Sequence, residues 1–214
     1  GSLEILAGVR PVSAAASGCE AAGWDWGRFE GTTVPHLPLK NLDKGWPRIS
    51  MTIRSAETFV GGLSSQGRQG VFAMVQNQAI MPEGQTVKGK KSWFFSDDRI
   101  LCLGSGISCD EARYPTQTTL CQKCLRNDPQ RELGPTLVDG ANLSTFPEER
   151  ALDQAKAHWF LDVQQTGYCL PAGQNLTIAR KRQTSRDVND WKDTQGDFLT
   201  AWIDHGKAPQ DASY

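Results

Sequence analysis

The chain has 214 residues with 23 Lys plus Arg against 24 Asp plus Glu. That near balance provides no global field for a nucleic acid or an anionic membrane surface, so any polyanion must be met locally. No apolar run approaches the roughly 18 residues that a membrane helix needs. With 21 glycines, 11 prolines and seven tryptophans, the composition is turn-rich and aromatic, which suits a β-protein handling carbohydrate better than a helical bundle. Gly1-Ser2 matches an expression scar, which would mean that any export signal or upstream domain has been cut off.

From Gly1 to Trp46 little periodicity is visible, and the segment reads as an irregular lead-in; a β-domain is expected over 47–214. The lead-in contains GWDWGRFEGTTVPHLPLKNLD, in which two tryptophans flank an acid and precede an arginine on a Gly/Pro-shaped loop. Trp24 and Trp26 form a candidate stacking platform for sugar rings; alternatively, one of them belongs to the core.

Alternating segments then recur: Ile49–Ser55, Gly70–Ile80, Lys91–Ile107, Thr116–Leu125, His158–Val163, Asn175–Arg182 and Asp197–Gly206. In the third, Ser96-Asp-Asp separates two apolar runs, predicting a hairpin. Such spacing implies antiparallel sheets packed as a sandwich. Thr145–Ala157, with a capping threonine, proline and acids in its first turn, reads equally well as a helix or as one turn leading into a strand.

The chemical signals are sparse. No HExxH, GxSxG, P-loop or GxGxxG pattern occurs. His205 closes an apolar strand and His158 reads as a strand residue. The basic runs KGKK (88–91) and RKRQTSR (180–186) suit either a bound polyanion or a solvated outer sheet face. Cys121 and Cys124 have the spacing of half a zinc knuckle, with Cys102 and Cys109 as the other half; disulfides and unpaired thiols in apolar strands are the other readings.

Taken together, GWDWGRFEGTTVPHLPLKNLD, the KKSWFFSDDRILCLGSGI hairpin, TQTTL and the ending DFLTAWIDHGKAPQDASY resemble the central β-sandwich of polysaccharide lyase family 8, and most of all its chondroitin ABC lyases. The resemblance implies a mainly β fold of the galactose mutarotase-like, lyase 8 central domain type. It also implies β-elimination at a uronic acid in a glycosaminoglycan, either chondroitin/dermatan sulfate or hyaluronan. An α-helical toroid supplying histidine, tyrosine and asparagine, and a further C-terminal β-domain, would be partners from the same parent.

By the same resemblance Arg28 matches the family's active-site arginine, and Gln117 stands where the family has glutamate. Arg28 would then sit at an exposed rim facing the cleft, with His36 and Lys40 as loop anchors or sugar contacts. Glu111 is the alternative carboxylate after a register change. The resemblance implies no certain cofactor and leaves calcium, used by some members, as the candidate, although no acidic cluster here is dense enough to name ligands. A secreted or periplasmic location accompanies this reading. The other class of function is a carbohydrate-binding or structural β-module that kept the fold and lost catalysis, with Gln117 as its trace.

Overall fold

The computed structural model describes residues 22–42, 55–80, 84–126, 132–186 and 192–214. The strand expected over 49–55 and the boundary expected near residue 46 fall almost wholly outside the described residues. Thirteen strands and one helical turn appear among those described. The chain divides into two compact units: residues 34–116 with 205–214, and residues 22–33 with 117–204.

The first unit is dominated by a four-stranded sheet in the order β2-β3-β4-β5, formed by Val60–Ser65, Gln69–Ile80, Gln85–Ser96 and Arg99–Cys109. Consecutive strands pair antiparallel, and β4 and β5 form the expected hairpin, with Ser96 opposite Arg99 across Asp97-Asp98. The alternation of KGKK is resolved by the pleat: Lys88 and Lys90 point to water while Lys91 is buried. A single short helical turn, α1 (Leu39–Leu42), belongs to this unit.

The second unit contains most of a five-stranded sheet in the order β1-β6-β13-β12-β9, formed by Thr33–Pro35, Pro115–Cys124, Asp193–Lys207, Leu176–Arg186 and Glu148–Ala151. Strands β12 and β13 pair antiparallel from Leu176 opposite Ile203 to Arg186 opposite Asp193. Six consecutive residues of β13, Phe198 to Ile203, are buried, as expected of a strand covered on both faces. A smaller sheet, β11-β10-β7-β8 (Gly167–Leu170, His158–Leu161, Leu137–Val138, Ala141–Asn142), completes the unit. There Phe160 stacks on Tyr168, 4.4 Å between centroids.

The helix allowed over 145–157 does not form. Glu148–Ala151 is an edge strand paired with β12, Glu148 opposite Arg180 and Ala151 opposite Thr177. Pairing satisfies the backbone of β12 on its second side, and Glu149 meets Lys181 across the strands, a gain that an isolated turn of helix cannot match. Local propensity yields to the sheet.

Candidate active site around Arg28

The site is built on β6 and the loop that precedes β1. Most of β6 is buried although its sequence is polar: Thr116, Gln117, Thr118, Thr119, Gln122 and Lys123 all lie inside. Each buried amide or hydroxyl there must find a partner, and the loop supplies many of them. Gln122, fully buried, accepts from the Asp25 N–H at 2.9 Å and donates to the carbonyls of Arg28 at 2.7 Å and Asp25 at 3.2 Å. Glu30 accepts from the Gln122 N–H at 3.0 Å and pairs with Lys123 at 2.7 Å. The Gly31 N–H donates to the Thr119 carbonyl, and the Thr119 N–H donates back to Thr32. An irregular loop is thereby held as firmly as a strand.

At the loop's start, Gly23 adopts φ +77°, and a Cβ there would come within 2.2 Å of the Gly196 nitrogen. Trp24 follows it into the core with Phe198 and Cys124. At 2% exposure its ring has no face left for a sugar, which corrects the stacking-platform reading for this residue. Trp26 is half-buried, packs beside Phe29 and donates its indole N–H to the Arg186 carbonyl. Its polar edge is therefore used internally.

Arg28 and Gln117 are brought together: Arg28 Nη2 donates to Gln117 Oε1 at 2.7 Å. Gln117 Nε2 in turn donates to Asp204 Oδ2 at 2.9 Å. Arg28 Nε lies 3.5 Å from Asp25 Oδ2, and the guanidinium carbon sits 3.9 Å over the Trp202 ring, a cation–π stack. An exposed rim is not what the structure has. Arg28 is 5% exposed, covered by Trp202 on a face and held along its edges by Asp25 and Gln117. Burial pushes the guanidinium below its ordinary value, against the opposing pull of Asp25, Glu149 and Asp204. Its Nη1 is buried with no hydrogen-bond partner among the described residues.

Other expected residues lie elsewhere. His36 and Lys40 belong to the first unit, where the His36 N–H donates to Pro115 and Lys40 is exposed on α1. Glu111, also of that unit, accepts from the Arg113 backbone N–H and from its Nε and Nη2, so its carboxylate is occupied locally. Cys102, Cys109, Cys121 and Cys169 carry free thiols. No group of three or more His, Cys, Asp or Glu gathers as a metal site among the described residues.

The sequence model of polysaccharide lyase family 8, super-sandwich domain, matches residues 20–214, which includes Arg28, Gln117 and Asp204. The chain belongs to polysaccharide lyase family 8. Among family 8 relatives, the chondroitin sulfate ABC endolyase of Proteus vulgaris is 30% identical over 203 residues, 92% of this chain and 19% of the relative. The chondroitin sulfate ABC exolyase of the same organism is 31% identical over 219 residues, all of this chain and 21% of the relative. The family 8 xanthan lyase structure from Paenibacillus aligns with TM-score 0.64 at 25% identity, covering 88% of this chain and 18% of that one. The chain thus spans about a fifth of the length of the family 8 relatives it matches.

Two members of the Arg28 site escape a reading of the sequence. Asp204 and Trp202 lie in WIDHG, where apolar patterning and the neighbouring histidine dominate the signal. The only clue is alternation: residues 202 and 204 share a side of β13.

Proposed function

We propose that this chain is the β-sandwich part of a lyase that cuts uronic-acid polysaccharides of the chondroitin sulfate class by β-elimination. In that reaction a base removes the C5 proton of the uronic acid. The freed electron pair forms the C4=C5 double bond, the C4–O bond breaks, and the departing oxygen takes a proton. The proton-moving histidine and tyrosine, and the asparagine that neutralises the carboxylate, belong to a helical domain outside this chain. The chain alone therefore gives no turnover. A polymeric substrate also fits a secreted or periplasmic location.

The observation that carries the reading is the spare Nη1 donor on Arg28. A buried donor without an acceptor costs about 1–3 kcal/mol, more on a charged group, and native proteins retain few of them. Arg28 is already stacked on Trp202 and bonded to Gln117, so the two N–H groups of Nη1 are held in place before substrate arrives. They would meet an oxygen on which negative charge grows as the glycosidic bond breaks, a contact that favours the transition state over the ground state.

The test uses the full-length parent with chondroitin sulfate, following the ultraviolet absorbance of the unsaturated product. Turnover that Arg28→Ala reduces by about 10²-fold or more, with the polymer still bound, is expected. A parent that binds the polymer yet forms no unsaturated product is a binding module, and the lyase reading fails.

A further inference from the structure

The two ends of the Gln117 amide make opposite demands. Oε1 accepts from Arg28 Nη2 at 2.7 Å and Nε2 donates to Asp204 Oδ2 at 2.9 Å. A guanidinium only donates and an ionised carboxylate only accepts, so the amide has a single orientation that serves both neighbours. A glutamate at 117 would keep the first bond and replace the second with two carboxylate oxygens facing each other. The residue at 117 and the residue at 204 are therefore chemically coupled: with Asp204 present, glutamine is the side chain that can bridge cation to anion.

We propose that Asp204 is a positioning residue for Arg28 that acts through Gln117, and that it carries a negative charge of this site one hydrogen bond further from the guanidinium than a carboxylate at 117 would. Asp25 and Glu149 are the other negative charges beside the guanidinium. The inference rests on the role given to Arg28 above. Asp204 is well placed for the task. It follows Trp202 on the same side of β13, so one strand supplies both the ring that covers the guanidinium and the anion that orients its partner. Its own backbone N–H donates to the Asn175 carbonyl at 2.9 Å, just past the Leu176–Ile203 pair that ends the β12–β13 ladder. Asp25 draws on the guanidinium through Nε, 3.5 Å away. With Nε beside Asp25 and Nη2 bonded to Gln117, Nη1 is the guanidinium nitrogen without a partner among the described residues. Without the charge at 204 the Gln117 amide loses the contact that selects its orientation, and Arg28 Nη2 faces an amide free to turn its NH2 toward it.

The experiment compares four forms of the full-length parent on chondroitin sulfate: wild type, Asp204→Asn, Gln117→Glu and the double variant Gln117→Glu/Asp204→Asn. Asparagine keeps the shape and one acceptor oxygen but puts an NH2 donor in place of the other, so the single change removes the charge and lets the Gln117 amide pair in either orientation. For Asp204→Asn the expected result is a fall in kcat of about 10- to 100-fold with KM nearly unchanged. Gln117→Glu alone places two carboxylates in contact, and its pH–rate profile gains an ionisation that the wild type lacks. The double variant restores the charge at 117, and kcat returns to within about 5-fold of wild type.

A merely structural aspartate would not be rescued by a charge placed at another position. Wild-type kcat and pH profile in Asp204→Asn, or a double variant no faster than the single one, overturns the inference and leaves the lyase reading standing. A wild-type parent with no turnover on uronic-acid polymers overturns both. Should Asp204→Asn fold poorly, the Gln117→Glu pH profile decides the matter, since an unaltered profile contradicts the coupling.

Discussion

Arg28 is held by three different interactions, which only a planar fork can make together. A lysine could pair with Asp25 or reach Gln117, but it cannot stack on Trp202 and bond along two edges at once. Arg28→Lys in the parent is therefore expected to lose about as much kcat as Arg28→Ala, by 10²-fold or so, measured by initial rates at saturating polymer. A second residue has a pH-dependent role in stability. His158 has Nδ1 2.6 Å from Asp139 Oδ2 and Nε2 2.8 Å from the Asp153 carbonyl, so only the doubly protonated ring satisfies both. The hydrogen bond to Asp139, then that to Asp153, holds the imidazole above its ordinary 6.5, while the Trp159 N–H and His158 hold Asp139 below 3.8. Lys156 and the Asp153 carboxylate, 3.7 Å apart, are the other charges nearby. Stabilisation from the raised histidine is complete below its unfolded value and is lost as pH rises through the folded one. Stabilisation from the depressed aspartate is complete above its unfolded value and is lost as pH falls through the folded one. Thermal melts of the chain should therefore fall by a few degrees from pH 6 to pH 9, and His158→Gln should flatten that slope. At this scale the sequence exposed Arg28 and Gln117 because motifs mark them. Asp204 stayed hidden because its partner lies 87 residues away in sequence, and no local pattern encodes that contact.

Among the elements, β6 and the loop docked on it depend on polar groups where a strand core usually depends on apolar ones. Gln122 satisfies three backbone groups of the loop and receives the Gln183 amide at 2.8 Å. Gln122→Leu would leave those groups unpaired in the interior. Expected is a loss of about 2–4 kcal/mol, read from the denaturant midpoint at unchanged m-value. Gly23→Ala should be similarly harmful, since its left-handed φ and the Gly196 backbone both exclude a methyl group. Strand positions were legible wherever alternation was clear, as in the β4–β5 hairpin. The 145–157 segment was not, because its helix-like caps are local while the pairing of β9 with β12 is not. Trp24 shows the same limit: an indole in a Gly-rich loop has one sequence signature whether it stacks on a sugar or fills a core.

For the whole molecule, the sheet of the first unit leaves apolar side chains uncovered. Leu63, Phe94, Phe95, Ile100 and Leu101 are each at least 42% exposed, and Leu63, Val71, Phe94 and Leu101 align across the four strands. Such a patch is an aggregation liability for the chain on its own. Leu63→Ser/Phe94→Thr/Leu101→Ser should lower the binding of a hydrophobic dye and slow aggregation in light scattering, with the melting temperature nearly unchanged. The family assignment and the architecture agree across scales, since the matched region is the super-sandwich domain and the described residues are mostly strand, with one helical turn. Steady-state kinetics of the full-length parent on chondroitin sulfate, wild type against Arg28→Ala, tests the central claim most directly. The account predicts unsaturated oligosaccharides from the wild type and a near-complete loss of kcat in the variant; equal rates from the two would contradict it.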